Sequence, residues 1–420
     1  MDWLSQLRDA LLNFEFYYPL FMAYVWMLGA LYYRFHWEKN LLPIAPGASD
    51  KTTAYPPISY MVPCHNEADH VRETIAYLAQ QDYPEFEIIA INDGSSDNTG
   101  VLLDELAEEY PMLRVVHLKT NQGKATAMRM GVLAAHHEFL ICIDSDAVLD
   151  RQAGKWMIRH FTNSARVAAV TGNPRIRTRS TLLGKIQVGE FSAIIGMIKR
   201  AQRIYGRVFT ISGVVTAFRK SALHQVGYWN TDTVTDDIDI SWKLQLHHWD
   251  IRFEPNALCW ILMPETLAGL WSQRKRWAQG GMEALIRYLP YLKHWHTRRM
   301  WGVYLEYFVS VVWSYLMGII IVLWLLGNIF PLPEALHIKA QLPGWNGVIL
   351  GLTCLLQFAI SMKMDARFEK GSGKYYYWMI WYPIAYWTIN MLSTVAAVPK
   401  ALFAKKRYGT WTSPDRGLTS

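Results

Sequence analysis

The sequence predicts an α/β domain, a mostly parallel sheet flanked by helices, fused to an α-helical transmembrane region with interfacial amphipathic helices. Three observations predict it. Between residues 58 and 143, short apolar runs rich in Ile and Val alternate with helical patterns. Long uncharged stretches lie on both sides of that region. The composition is divided: 51% apolar and only 18% charged, against about 25% charged in an average soluble domain, with a mean hydropathy of just +0.03. That balance excludes both a wholly embedded carrier and a disordered chain.

Residues 1–40 read as an N-terminal membrane anchor. Phe16 to Tyr33 carries no charge, follows no basic leader and ends in no small-residue cleavage site, so it is not a signal peptide. Residues 41–57, with their prolines and glycine, read as a linker. A catalytic-type domain is expected over 58–265. In it ISYMV (58–62), FEIIAI (86–91), LRVVHL (113–118) and EFLICI (138–143) read as strands, and Ala68–Gln81, Asn98–Tyr110 and Lys124–Ala135 as helices. Interfacial helices are expected over 266–302, a C-terminal transmembrane region over 303–400 and a basic tail over 401–420.

Tyr307–Phe330, Ala340–Met362 and Tyr375–Pro399 are each uncharged and long enough to span about 30 Å of hydrocarbon. Arg34 and Lys39 after the first span, Lys293, Arg298 and Arg299 before the second, and the basic loop Lys363–Lys374 put the middle section on the cytoplasmic side. Lys400, Lys405, Lys406 and Arg407 in the tail conflict with four simple crossings unless Pro383 breaks the last stretch. Net charge is +7. Arg175–Arg207 has Glu190 as its single acid and Leu267–Arg299 has Glu283, so both read as basic helices against an anionic leaflet. No nucleic-acid-binding module accompanies that charge. Four scattered cysteines without a CxxC make neither a disulfide framework nor a zinc site.

Polar residues cluster where strands end, which is where ligands bind on such sheets. Pro63 and Glu67 follow the first strand, Asp93 closes the second, and Asp144 and Asp146 close the fourth. Two carboxylates one residue apart can hold a divalent cation and leave positions for phosphate. Their bland alternative is a solvated turn. Thr235-Asp236-Asp237-Ile238-Asp239 gathers acids that serve either a base and cation or the start of a helix. In Gln273-Arg274-Lys275-Arg276-Trp277 the guanidiniums suit phosphate and the indole a flat sugar face; the alternative is a basic juxtamembrane helix. GxGxxG and GxxxxGKS patterns are absent, so dinucleotide and P-loop chemistry is unsupported.

Asp93, Asp144-x-Asp146, Thr-Asp-Asp237 and Gln273-x-x-Arg276-Trp277, in this order between membrane segments, resemble the processive family-2 glycosyltransferases, which include cellulose, chitin and hyaluronan synthases. VPCHNE (62–67), NQGKATAM (121–128), TGNPRIRTRSTLLGKIQVGE (171–190), SGVVTAFRKSAL (212–223) and WTSPDRG (411–417) resemble the branch making the β-1,6-linked N-acetylglucosamine polymer of biofilms. The resemblance covers nearly the whole chain. Family members can carry a further N-terminal hydrophobic segment, where residues 1–15 here are charged and amphipathic, and the family's Thr-Glu-Asp reads Thr-Asp-Asp at 235–237.

The resemblance implies a GT-A-type fold and inverting transfer from UDP-GlcNAc. It implies Asp237 as base, Asp146 as ligand to Mg2+ or Mn2+, and Asp144 near ribose or metal. Pro63, Glu67, Asp93 and Lys124 would line the donor pocket. Arg274 and Arg276 would counter the leaving charge, with Gln273 offering an amide and Trp277 stacking under the acceptor sugar. It also implies a bacterial inner-membrane location, a small membrane accessory subunit and cyclic di-GMP control. Two other readings stay open at this level: a single-transfer enzyme loading a polyprenyl phosphate, and a non-enzymatic membrane receptor or transporter.

Overall fold

A computed structural model describes residues 3–39, 55–338 and 344–403. Most of the 41–57 linker, the tail beyond 403 with its WTSPDRG motif, and the first residues of the Ala340–Met362 stretch lie outside the described residues.

The strands are β1 (Ile58–Cys64), β2 (Phe86–Asp93), β3 (Leu113–Leu118), β4 (Phe139–Ile143), β5 (Val148–Leu149), β6 (Val167–Ile176), β7 (Val215–Arg219) and β8 (Asp250–Ile261). They form one sheet in the order β3-β2-β1-β4-β7-β6-β8-β5. The first four pair in parallel, as expected from their alternation with helices. The second half differs: β7 runs antiparallel to both β4 and β6, and β5 antiparallel to β8, so the sheet is mixed. The helices are α1 (Trp3–Tyr33), α2 (Val71–Ala79), α3 (Thr99–Glu109), α4 (Lys124–Ala134), α5 (Ala153–Thr162), α6 (Leu182–Phe191), α7 (Ile198–Tyr205), α8 (Lys220–Val226), α9 (Asp236–Leu246), α10 (Leu267–Tyr288), α11 (Trp301–Ile329), α12 (Gly344–Asp365) and α13 (Tyr382–Phe403).

Alternate strand residues point to opposite faces, and both faces are covered. Ile58, Tyr60 and Val62 of β1 join Ile88 and Ile141 in a core closed by α2, α3 and α5. Met61, Ile89 and Leu140 join the opposite core under α4, α8 and α9. A third, smaller core of Ile238, Trp242, Ala284, Tyr288, Met300 and Val303 ties α9 to α10 and the start of α11.

Among the described residues two helices, Trp295–Ile329 counted with its lead-in and Trp345–Asp365, are long and apolar enough to cross a membrane. The N-terminal stretch lies within the single 31-residue helix α1, where repeated tyrosines dilute the hydropathy. The 375–399 stretch is not one helix. Ser372–Trp381 is a 3-10 segment and the α-helix begins at Tyr382. The break falls ahead of Pro383, which sits in the first turn of α13, where no intrahelical N–H is required of it.

The basic stretch Arg175–Arg207 does not present its key cations to lipid, contrary to the expectation. Arg200 is fully buried, with Nε 2.6 Å from Glu38 and Nη1 3.2 Å from Asp365. Arg175 is buried against Asp365 at 2.7 Å and Glu369 at 3.2 Å. Arg203 lies 2.8 Å from Asp250. Lys199 is buried with its Nζ 3.2 Å from the Thr171 hydroxyl. The counter-charges come from segments remote in sequence, so a local charge count reads these cations as unpaired.

Candidate active site

The site gathers at the carboxyl ends of β1, β2 and β4. Pro63 lies past the last β4 rung at Met61, where its missing N–H costs that pairing nothing. Glu67 is buried, and its N–H donates to the Thr99 hydroxyl at 2.7 Å. Asp93 is fully buried and its two carboxylate oxygens accept from the N–H groups of Gln122 and Gly123, both at 2.8 Å. Gly123, the residue that caps the start of α4, has φ +87°, a conformation that favours glycine. Asp93 therefore fixes the loop that delivers Lys124.

The Lys124 ammonium is ion-paired with Asp144 and donates to the Gly213 carbonyl at 3.1 Å. Burial opposes its charge, yet Asp144, then Asp236 and Asp237, hold it above its ordinary pKa. Asp144 sits in a rigid turn: its carbonyl accepts from Ala147 N–H at 3.2 Å, and Thr74 donates to the Ser145 carbonyl at 2.7 Å. Burial pushes the Asp144 carboxyl up, Lys124 opposes this, and Asp146 pushes it further up. Two carboxylates that repel each other across a turn form an oxygen donor set suited to a divalent cation completed by substrate phosphates. Among the described residues no group of three or more His, Cys, Asp or Glu would hold a metal unaided.

Asp236 and Asp237 open α9, with Asp237 Oδ1 accepting from Ile238 N–H at 2.9 Å. Burial, then the Asp236 charge, raise the Asp237 pKa to about 6, against the pull of that N–H, Lys124 and Arg276. The third acid of the run belongs to the scaffold: Asp239 is buried and accepts from Tyr288 at 2.8 Å, Asn230 at 3.1 Å and Arg287 at 3.3 Å.

Gln273, Arg276 and Trp277 lie three and four residues apart on α10 and so share one face. Arg276 is exposed and its charge is felt by Asp237. Gln273 Nε2 lies 3.7 Å from Met263 Sδ, and its Oε1 is buried without a hydrogen-bond partner among the described residues. Trp277 is partly buried. α10 approaches α9 closely because position 280 is glycine: a Cβ there would collide with the Thr235 side chain.

Arg274 does not match the expected leaving-group role. It is buried, its Nη2 lies 2.6 Å from Glu190, and its guanidinium stacks 4.6 Å from the Trp277 ring centroid. Three groups near the site escaped the sequence reading: Glu190, Thr171 and Lys199. Burial lowers the Lys199 pKa to about 7, against the nearby Asp237 charge. A lone acid in a basic stretch was the one signal available for Glu190.

Residues 56–280 match the family model described as glycosyltransferase like family 2. A poly-β-1,6-N-acetyl-D-glucosamine synthase of Staphylococcus epidermidis is 41% identical over 96% of this chain and 98% of its own length. One from Staphylococcus aureus is 40% identical over 97% and 98%. In fold, the chain is similar to a mannosyltransferase of Pyrobaculum calidifontis solved with GDP-Man and Mn2+, with a TM-score of 0.60 and 19% identity over 96% of this chain and 99% of that one.

Proposed function

The chain belongs to the poly-β-1,6-N-acetyl-D-glucosamine synthase branch of glycosyltransferase family 2, and from that premise we propose that it polymerises N-acetylglucosamine from UDP-GlcNAc into the β-1,6-linked polymer and threads it across a bacterial cytoplasmic membrane. The observation that carries the reading is the charge cluster of Lys124, Asp144, Asp236 and Asp237, set beside the Gln273–Trp277 face of α10.

In this reading the acceptor 6-hydroxyl attacks C1 of the donor sugar. The new C1–O bond forms as the bond to UDP breaks, UDP leaves with the electron pair, and Asp237 takes the hydroxyl proton. The configuration at C1 inverts and no protein nucleophile is used. A carboxylate with a pKa near 6 is deprotonated at cellular pH yet basic enough to accept that proton. A Mg2+ or Mn2+ ion held by Asp146, with Asp144 beside it, would neutralise charge on the diphosphate. Arg276 supplies a further cation on the same side, and Lys124 keeps the Asp144 carboxylate oriented. The buried, unpartnered Gln273 amide oxygen would accept a hydrogen bond from an acceptor hydroxyl seated against it, and Trp277 offers a flat face beneath the sugar. Pro63, Glu67 and Asp93 shape the nucleoside end of the pocket.

The catalytic part lies on the cytoplasmic side, with α11 and α12 crossing the membrane. Partners are UDP-GlcNAc, the growing polysaccharide, lipid and a small membrane subunit with cyclic di-GMP control; no nucleic acid is involved. Membranes carrying the protein, incubated with radiolabelled UDP-GlcNAc, are expected to yield a polymer degraded by a β-1,6-specific hexosaminidase. A single sugar transferred to lipid, or a polymer resistant to that enzyme, refutes the reading.

A further inference from the structure

A line of buried polar groups runs beneath Trp277 that the transfer chemistry leaves unused. The Arg274 guanidinium lies 4.6 Å from the indole centroid and its Nη2 donates to Glu190 Oε2 at 2.6 Å. The other carboxylate oxygen, Oε1, accepts from the Tyr382 hydroxyl at 3.2 Å. Tyr382 in turn stacks on Tyr386, with centroids 4.9 Å apart and planes within 13°. Glu190 is 1% exposed and Arg274 5%. The three polar groups come from three different helices, α6, α10 and α13.

Burying this pair is costly. Two charges leave water, and a well-packed apolar pair of equal volume would stabilise the fold as well or better. What an apolar pair cannot do is fix the plane of a guanidinium. Arg274 has donors in a rigid fork, so a carboxylate held by a second donor sets its orientation. The flat cation then sets the tilt of the indole stacked on it, as residues three apart on one helix allow. Burial raises the Glu190 pKa, with Arg274 and the Tyr382 hydroxyl opposing, so the carboxylate form depends on both partners.

We propose that Glu190 and Tyr382 are positioning residues for the acceptor: through Arg274 they hold the Trp277 ring at the angle a sugar needs, and so determine how many transfers occur before the polymer is released. This rests on the reading that Trp277 stacks under the acceptor sugar. The Glu190 carboxylate is bonded to Arg274 and Tyr382 and not to Asp237 or the Lys124–Asp144 pair, so a fault in the relay is expected to shorten the product without slowing donor use.

The test compares Glu190→Gln, Glu190→Asp, Tyr382→Phe, Trp277→Ala and the Glu190→Gln/Trp277→Ala double variant in the full-length protein in membranes. UDP release, donor KM and product length are measured for each. Glu190→Gln and Tyr382→Phe are expected to shorten the product several-fold while UDP release and donor KM stay within about twofold of the unmodified protein. Glu190→Asp, which keeps the charge, recovers part of the length. In the double variant, Glu190→Gln adds nothing to the shortening caused by Trp277→Ala. If Trp277→Ala leaves length unchanged, the stacking reading fails and takes the inference with it. If Trp277→Ala shortens the product and Tyr382→Phe and Glu190→Gln do not, the relay is overturned while the stacking reading stands. Independent, multiplying effects in the double variant also overturn it. Should Glu190→Gln fail to accumulate, Tyr382→Phe and Glu190→Asp decide the question by the same readouts.

Discussion

The acidic limb of the pH–rate profile tests the base directly. A carboxylate accepts a proton only when ionised, so turnover at saturating donor and metal should rise with pH through about 6, the value burial and Asp236 impose on Asp237. At pH 5 about one-tenth of the sites would carry an ionised base and at pH 7 about nine-tenths, hence a nearly tenfold span. The neighbours pull in opposite directions, which gives the test its sign. Asp236→Asn removes a charge that raises the Asp237 pKa and should move the limb to lower pH. Arg276→Gln removes a charge that lowers it and should move the limb to higher pH. Asp236 acts on Asp237 more strongly than the exposed Arg276 does, so the Asp236→Asn displacement should be the larger of the two. Asp237→Asn keeps the shape but takes no proton; transfer should fall by about 10²–10⁴ with UDP-GlcNAc binding retained. Steady-state UDP release between pH 4.5 and 8.5, on membranes from all four proteins, supplies the data. If Asp236→Asn and Arg276→Gln shift the limb the same way, or Asp237→Asn turns over normally, the base lies elsewhere.

Asp146→Ala should lose turnover and EDTA should silence the unmodified protein; full activity in EDTA would remove the metal from the proposal. Gly280→Ala forces α10 off Thr235, so transfer should drop at least tenfold while the protein still accumulates in membranes, as immunoblot and UDP release would report. Lys199 has a folded pKa near 7 against its ordinary 10.5, so the unfolded chain binds the extra proton between those values and stability rises with pH across that window. Lys199→Met should therefore raise the melting temperature in detergent most at pH 6 and progressively less towards pH 10; an equal gain at both would show that Lys199 is not buried as a charge.

The first half of the sheet was legible because each strand carries its own signal. FEIIAI and LRVVHL are apolar runs between helical periods, and the observed strands begin within a residue of the expected ones. The second half was not. β6 contains Gly172, Asn173 and Pro174, and β8 contains Pro255 and Asn256, so their composition reads as turns. Their pairing is fixed by partners far along the chain. The site divides the same way. Acids and the α10 face that act through local spacing stood out, down to the shared side of Gln273, Arg276 and Trp277. Glu190 meeting Arg274, 84 residues away, left no local trace. Arg200 and Arg203, read as lipid-facing, turned inward for the same reason.

The buried arginines also constrain the order in which the molecule can be completed. Glu38 reaches Arg200 across 162 residues, and Asp365 reaches both Arg200 and Arg175 across 165 and 190. A nascent chain that has not yet produced residue 365 holds two guanidiniums of the catalytic domain with two of their three partner carboxylates, Asp365 and Glu369, still unsynthesised. The sheet can form early, but α7 cannot settle against α1 without leaving that charge bare in a low-dielectric place. Final docking of the catalytic domain thus waits for the end of α12. A chain ending before that helix would keep its donor-binding strands and lose the fixed attachment that aligns them with the membrane.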